Sequence, residues 1–73
     1  MSIAVQDIAL TVNGEARSFA GIADVAALVA ALGLDPRKVA VERNLEIVPR
    51  SAYGKTPIAD GDRIEIVSFI GGG

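Results

Sequence analysis

Residues 8–19 carry a complete hairpin signal. Ile8, Leu10 and Val12 alternate with Ala9 and Thr11, the two-residue period of a half-buried strand. Asn13-Gly14 follows at once, a dipeptide that accepts the positive φ angles of a tight reversal, so Glu15 to Phe19 is expected back as an antiparallel second strand. A helix comes next. Asp24 is a good N-cap, and Val25, Leu28, Val29 and Leu32 then fall at i, i+3, i+4 and i+7 to make one apolar stripe. Ala26, Ala27, Ala30 and Ala31 fill the other positions with the strongest helix former, and Gly33 stands where a left-handed residue ends a helix. Helix propensity alone accounts for that alanine face, with packing on a partner as the alternative. Arg37 and Lys38 lie where positive charge complements the helix C-terminus if the chain stays near it.

After the Asp35-Pro36 turn signal, Val39 to Glu42 reads as a third strand and Glu46 to Pro49 as a short fourth, with Asn44 between them able to take a positive φ. Pro49 confines the fourth strand to an edge or a strand end. Arg50 to Pro57 reads as irregular, and Asp60-Gly61-Asp62 is a turn that launches the last strand. In that strand Ile64 and Ile66 point one way, while Arg63, Glu65 and Val67 point the other. The order strand, strand, helix, strand, strand, strand is α+β: a mixed sheet of about five strands with one helix across a face. It is the order of the β-grasp, the ubiquitin-like architecture, in which the first and last strands lie side by side and parallel in the middle. Residues 1–68 then form the domain, and residues 69–73 form a tail leaving the sheet directly into solvent. Val67 and Phe69 share a parity on the face away from the helix, either a docking patch or the scattered exposed apolar residues that every protein has.

With 73 residues the chain makes one small domain, burying only about 60% of its unfolded surface and leaving no room for a catalytic cleft. It contains neither Cys nor His, so the usual zinc ligand sets, thiol and imidazole catalysis and disulfides are all excluded. Seven basic and nine acidic residues are scattered, which argues against nucleic acid and against a membrane-binding basic patch. Proteins are the expected partners. The first residues, Met1 to Asp7, lack a basic segment followed by a long apolar run, and a cytoplasmic location is expected. Asp60 and Asp62 flank a glycine and read as turn residues, in preference to a metal or acid–base pair. Arg43 and Arg50 read as solvated charge, with acidic partner surfaces as the alternative.

The chain ends on Gly71, Gly72 and Gly73, directly after the apolar run 64–70. Without Cβ atoms such an end is thin enough to thread a channel that any other residue would block, which suits chemistry at the C-terminal carboxylate itself. Thr11-Val12-Asn13-Gly14-Glu15, Leu32-Gly33-Leu34-Asp35-Pro36, Val39-Ala40-Val41-Glu42, Glu46-Ile47-Val48-Pro49-Arg50, the run from Asp60 to Val67 and then Phe69-Ile70-Gly71-Gly72-Gly73 together resemble the bacterial thiamine-biosynthesis sulfur carriers of the ThiS family. The resemblance covers nearly the whole chain from Ile8. Departures are local: an N-terminal extension, Leu45 where the family often has the glycine of an Asn-Gly turn, Tyr53 near a common tryptophan, and one extra residue between Gly21 and the helix.

That resemblance implies a carrier with no cofactor or metal of its own and no enzymatic catalytic residue. A ThiF-like adenylyltransferase, using ATP and Mg, would activate the Gly73 carboxylate. A persulfide donor, such as a cysteine desulfurase relay, would supply sulfur. The resulting thiocarboxylate would serve a ThiG-like thiazole synthase. Gly72 and Gly71 would thread the partners' active sites, with Ile70, Phe69 and Val67 as docking residues. The same tail chemistry serves a sulfur carrier for molybdopterin synthesis, which the Ile47-Val48-Pro49-Arg50 segment disfavours, and a ubiquitin-like modifier joined to lysines.

Overall fold

The computed structural model describes residues 7–69. Over them the chain forms β1 (Asp7–Val12), β2 (Glu15–Ala20), α1 (Val25–Ala31), a 3-10 turn (Pro36–Lys38), β3 (Val39–Arg43), β4 (Glu46–Val48), a second 3-10 segment (Arg50–Lys55) and β5 (Arg63–Ser68). The strands make one sheet in the order β2-β1-β5-β3-β4. β5 runs parallel to β1 and antiparallel to β3, so the last strand is central. This mixed sheet with one main helix is the β-grasp expected from the order of elements.

Local chemistry explains the elements. Asn13 and Gly14 take φ of 53° and 83°, the left-handed pair of a tight hairpin turn, and Val12 faces Glu15 across it. At the start of α1 the Asp24 carboxylate accepts the Ala27 N–H at 2.8 Å. At its end Gly33 is left-handed (φ 74°), and the Gly33 and Leu34 N–H groups donate to the Ala30 and Val29 carbonyls at 3.0 and 3.1 Å. These paired bonds close a helix that has run out of intrahelical donors. Val25, Leu28 and Val29 are wholly buried against Leu10, Val12, Val41, Ile64 and Ile66, while Leu32, at the C-cap, is half-buried.

Two expectations need correcting. No basic side chain lies in the last turn of α1. The chain stays beside α1, but the Asp35 carboxylate caps the Pro36–Lys38 turn and takes the Arg37 guanidinium at 3.0 Å. Hydrogen bonds from the Arg37 side chain and backbone hold the Asp35 carboxyl at about 2. The segment after Pro49 is ordered 3-10 helix instead of irregular chain, because Tyr53 is buried there and its hydroxyl donates to the Val39 carbonyl at 3.1 Å. Beyond it, the Thr56 carbonyl accepts the Val25 N–H at 3.0 Å and the Ile58 N–H donates to Ala23 at 3.1 Å, which ties this connection to the start of α1. Edge placement of β4 agrees with Pro49. Among the described residues no helix is long and apolar enough to cross a membrane.

Candidate docking face and C-terminal exit

β5 is the strand that leads to the chain end, and it is held from both sides. On the β1 side the Thr11 N–H donates to Asp62 at 3.0 Å and the Asn13 N–H donates to Ile64 at 2.9 Å. On the β3 side five residue pairs, Val39 with Ser68 through Arg43 with Ile64, continue the ladder. Side chains complete the grip. The Asn13 amide accepts the Ile66 N–H at 2.7 Å and donates to the Ile66 carbonyl at 3.1 Å. β1 has already ended at Val12 while β5 continues to Ser68, so this side chain takes the place of the next backbone unit of β1. Asn44 acts similarly at the start of β5, where its side-chain oxygen accepts the Arg63 N–H at 2.9 Å and its own N–H donates to the Arg63 carbonyl at 2.8 Å.

Sequence reasoning gave both asparagines only a turn role. Their second role had a signal, since an amide both donates and accepts where aspartate only accepts and glycine offers neither.

Asp62 is the buried charge of this region. Burial pushes its carboxyl up, but hydrogen bonds from the Ala59 N–H, Asn44 and Arg43, with the Arg43 charge, outweigh that and hold it below the usual carboxylate range. The Ala59 N–H lies at 2.8 Å and the Arg43 guanidinium also at 2.8 Å. Asp60 accepts the Ala9 N–H at 2.7 Å. Both aspartates therefore fix the turn before β5. Arg43 is not the solvated charge expected, because its side chain lies over Asp62 and is only 28% exposed. Arg50 donates to the Arg37 carbonyl at 3.1 Å. Among the described residues no group of three or more His, Cys, Asp or Glu is placed to hold a metal.

Outward from the helix the sheet presents a different surface. Ile64 and Ile66 are buried, and Arg63, Glu65 and Val67 alternate outward from them. Val67 is 63% exposed and Phe69 is 55% exposed. The Phe69 N–H still donates to the Lys38 carbonyl at 2.8 Å, so this residue remains tied to the body of the domain. Ile70, Gly71, Gly72 and Gly73 lie outside the described residues. Ile47 on β4, 77% exposed, was missed as a surface apolar residue, although its alternation with buried Val48 pointed to it.

A β-grasp domain whose central strand leads to a glycine end is the class that this architecture defines. The sequence profile of the ThiS family matches residues 10–73, and the chain belongs to that family. A crystal structure of thiamine biosynthesis protein ThiS from Geobacter metallireducens matches with a TM-score of 0.77 at 38% identity, over 90% of this chain and 100% of that one. Sulfur carrier protein ThiS of Bacillus subtilis is 46% identical over 46 residues, which are 63% of this chain and 70% of that protein. A thiazole synthase of Paramagnetospirillum magneticum is 59% identical over 64 residues, 88% of this chain. The matched chain spans only 20% of that synthase's length.

Proposed function

We propose that the protein is a sulfur carrier of thiamine biosynthesis, a co-substrate of partner enzymes that works through the carboxylate of Gly73. The observation that carries the reading is the continuity of β5 with the glycine end. A strand gripped by both neighbours and two asparagines points the chain toward residues 70–73, and the family profile runs through Gly73.

A free carboxylate is a poor electrophile, because attack must overcome its charge and expel oxide. Activation solves this. One carboxylate oxygen attacks the α-phosphorus of ATP on a Mg-dependent adenylating partner, and pyrophosphate leaves. The terminal sulfur of a persulfide then attacks the acyl carbon, forming a C–S bond and expelling AMP, and a second thiol on the donor attacks the persulfide's inner sulfur, forming a disulfide there and releasing the thiocarboxylate. That group is ionised near neutral pH, and its sulfur is nucleophilic enough to be delivered to a thiazole synthase. The occurrence of a matching segment within a thiazole synthase of Paramagnetospirillum magneticum supports the choice of that acceptor. The reading places the chain in the cytoplasm, with its ATP-using partner.

Gly73 is the reacting residue, and Gly72 and Gly71 are its slender approach. Val67, Phe69 and Ile70 are the stem held by the partner. Four residues beyond Phe69, whose N–H is tied to Lys38, can span roughly 14 Å if extended, enough to carry the terminus into a pocket while the domain stays outside. The absence of Cys fits, since no side-chain thiol competes for the acyl group. Deletion of Gly72 and Gly73 is expected to leave the melting temperature almost unchanged, because chain ends generally contribute few contacts to a fold, and to abolish thiocarboxylate formation. Thiazole synthesis supported by the truncated chain would reject the carrier role.

A further inference from the structure

The outer face of the sheet carries an apolar surface interrupted by two acidic residues in register. Val67 faces Ala40 across the β5–β3 pairing, Phe69 follows two residues on, and four more residues lead from there to the chain end. In the adjacent row Glu65 faces Glu42, and Glu42 faces Ile47 on β4. Direct partners on one sheet face have Cβ atoms about 4.5–5.5 Å apart, and like charges so placed oppose each other. The fold provides little relief. Arg63 reaches Glu65 at 3.2 Å, while among the described residues no cationic side chain is hydrogen-bonded or ion-paired to Glu42. Both glutamates are half-buried between exposed Ile47 and Val67.

This geometry specifies an occupant. A purely apolar partner surface would strip water from two opposed carboxylates without replacing it, a costly desolvation. A surface carrying a cation in the Glu42–Glu65 row, with apolar side chains on Val67, Phe69 and Ile47, satisfies both halves of the face at once. A guanidinium suits the row best, because its planar fork can bond two carboxylates while its faces stay weakly hydrated. We infer that Glu42 and Glu65 form the polar specificity element of the docking face and receive an arginine or lysine of the adenylating partner. This rests on the carrier reading above. The pair is a recognition device, and the isolated domain is less stable for keeping it.

The test uses the full 73-residue chain with Glu42→Gln and Glu65→Gln together, and the adenylating enzyme from the same genome. Removing a like-charge pair is expected to raise the melting temperature of the free protein by a few degrees. The same change is expected to weaken association with the adenylating enzyme at least about tenfold, and to flatten the decline of affinity with salt. A purely structural role predicts the opposite stability change and no change in salt dependence. The inference is overturned if the double variant binds within twofold of wild type while wild type is converted normally, a result that leaves the carrier reading intact. If the wild-type chain neither binds nor is adenylated, the carrier reading fails, and this inference fails with it.

Discussion

Leu45 occupies the second left-handed position of the β3–β4 turn, at φ 71° after Asn44 at 52°, and its side chain is 69% exposed. A branched side chain there suffers the Cβ–carbonyl crowding that glycine avoids, while gaining little from burial. Leu45→Gly is expected to stabilise the domain by up to about 1 kcal/mol after the added chain entropy of glycine is set against the relieved strain. Chemical denaturation measures this, and a clear loss of stability would show that Leu45 makes contacts its exposure hides. Asp62 gives the pH-dependent counterpart. Its folded pKa is depressed, so its contribution is present above the ordinary carboxylate value of about 3.9 and is lost as pH falls through the folded value. Urea midpoints followed from pH 6 to pH 3 should fall more steeply for wild type than for Asp62→Asn. Asp35, also depressed, is retained in both proteins and cancels from the difference. Equal slopes would remove Asp62 from the acid sensitivity of the fold.

At the scale of elements, β5 depends on a side chain that also makes a turn, and the two roles of Asn13 separate by substitution. Asn13→Gly keeps the left-handed conformation but deletes both hydrogen bonds to Ile66. It is expected to cost about 1–3 kcal/mol in unfolding free energy, the range for two partly buried bonds at roughly 0.5–1.5 kcal/mol each. A neutral result would mean that water replaces the amide without loss. What was legible in the sequence divides along the same line. The Asn13-Gly14 hairpin, the Asp24 cap, the Gly33 helix end and the Ile64/Ile66 alternation were readable, because each is set by residues within a few positions of itself. The 3-10 segment around Tyr53 was not, since its order comes from a hydroxyl reaching Val39, fourteen positions away. Nor was the Arg43–Asp62 pair, because charges nineteen positions apart meet only once β3 and β5 are registered. Arg37 was misread for a simpler reason: Asp35, two residues before it, offered a stronger acceptor than the end of α1.

For the molecule as a whole, the sheet order β2-β1-β5-β3-β4 joins stability to function. The strand that precedes the glycine end is also the one with neighbours on both sides, which under the proposed function makes the domain a firm handle for the terminus. Val67 and Phe69 are exposed at the end of that strand, so the proposed docking residues and the proposed reacting residue lie within one short stretch of sequence. Family membership and fold rest on the match over residues 10–73 and on the ThiS structure from Geobacter metallireducens. Under the proposed function, Gly73 is where sulfur chemistry occurs. The direct measurement is intact-mass spectrometry, with fragmentation to locate the change, after incubation with the adenylating enzyme, ATP, Mg and a persulfide donor. The account predicts that one oxygen is replaced by sulfur at Gly73, and that the original mass returns when thiazole synthase turns over with its substrates. Conjugates to lysines of other proteins, with no thiocarboxylate under sulfur-supplied conditions, would contradict it and identify a modifier instead.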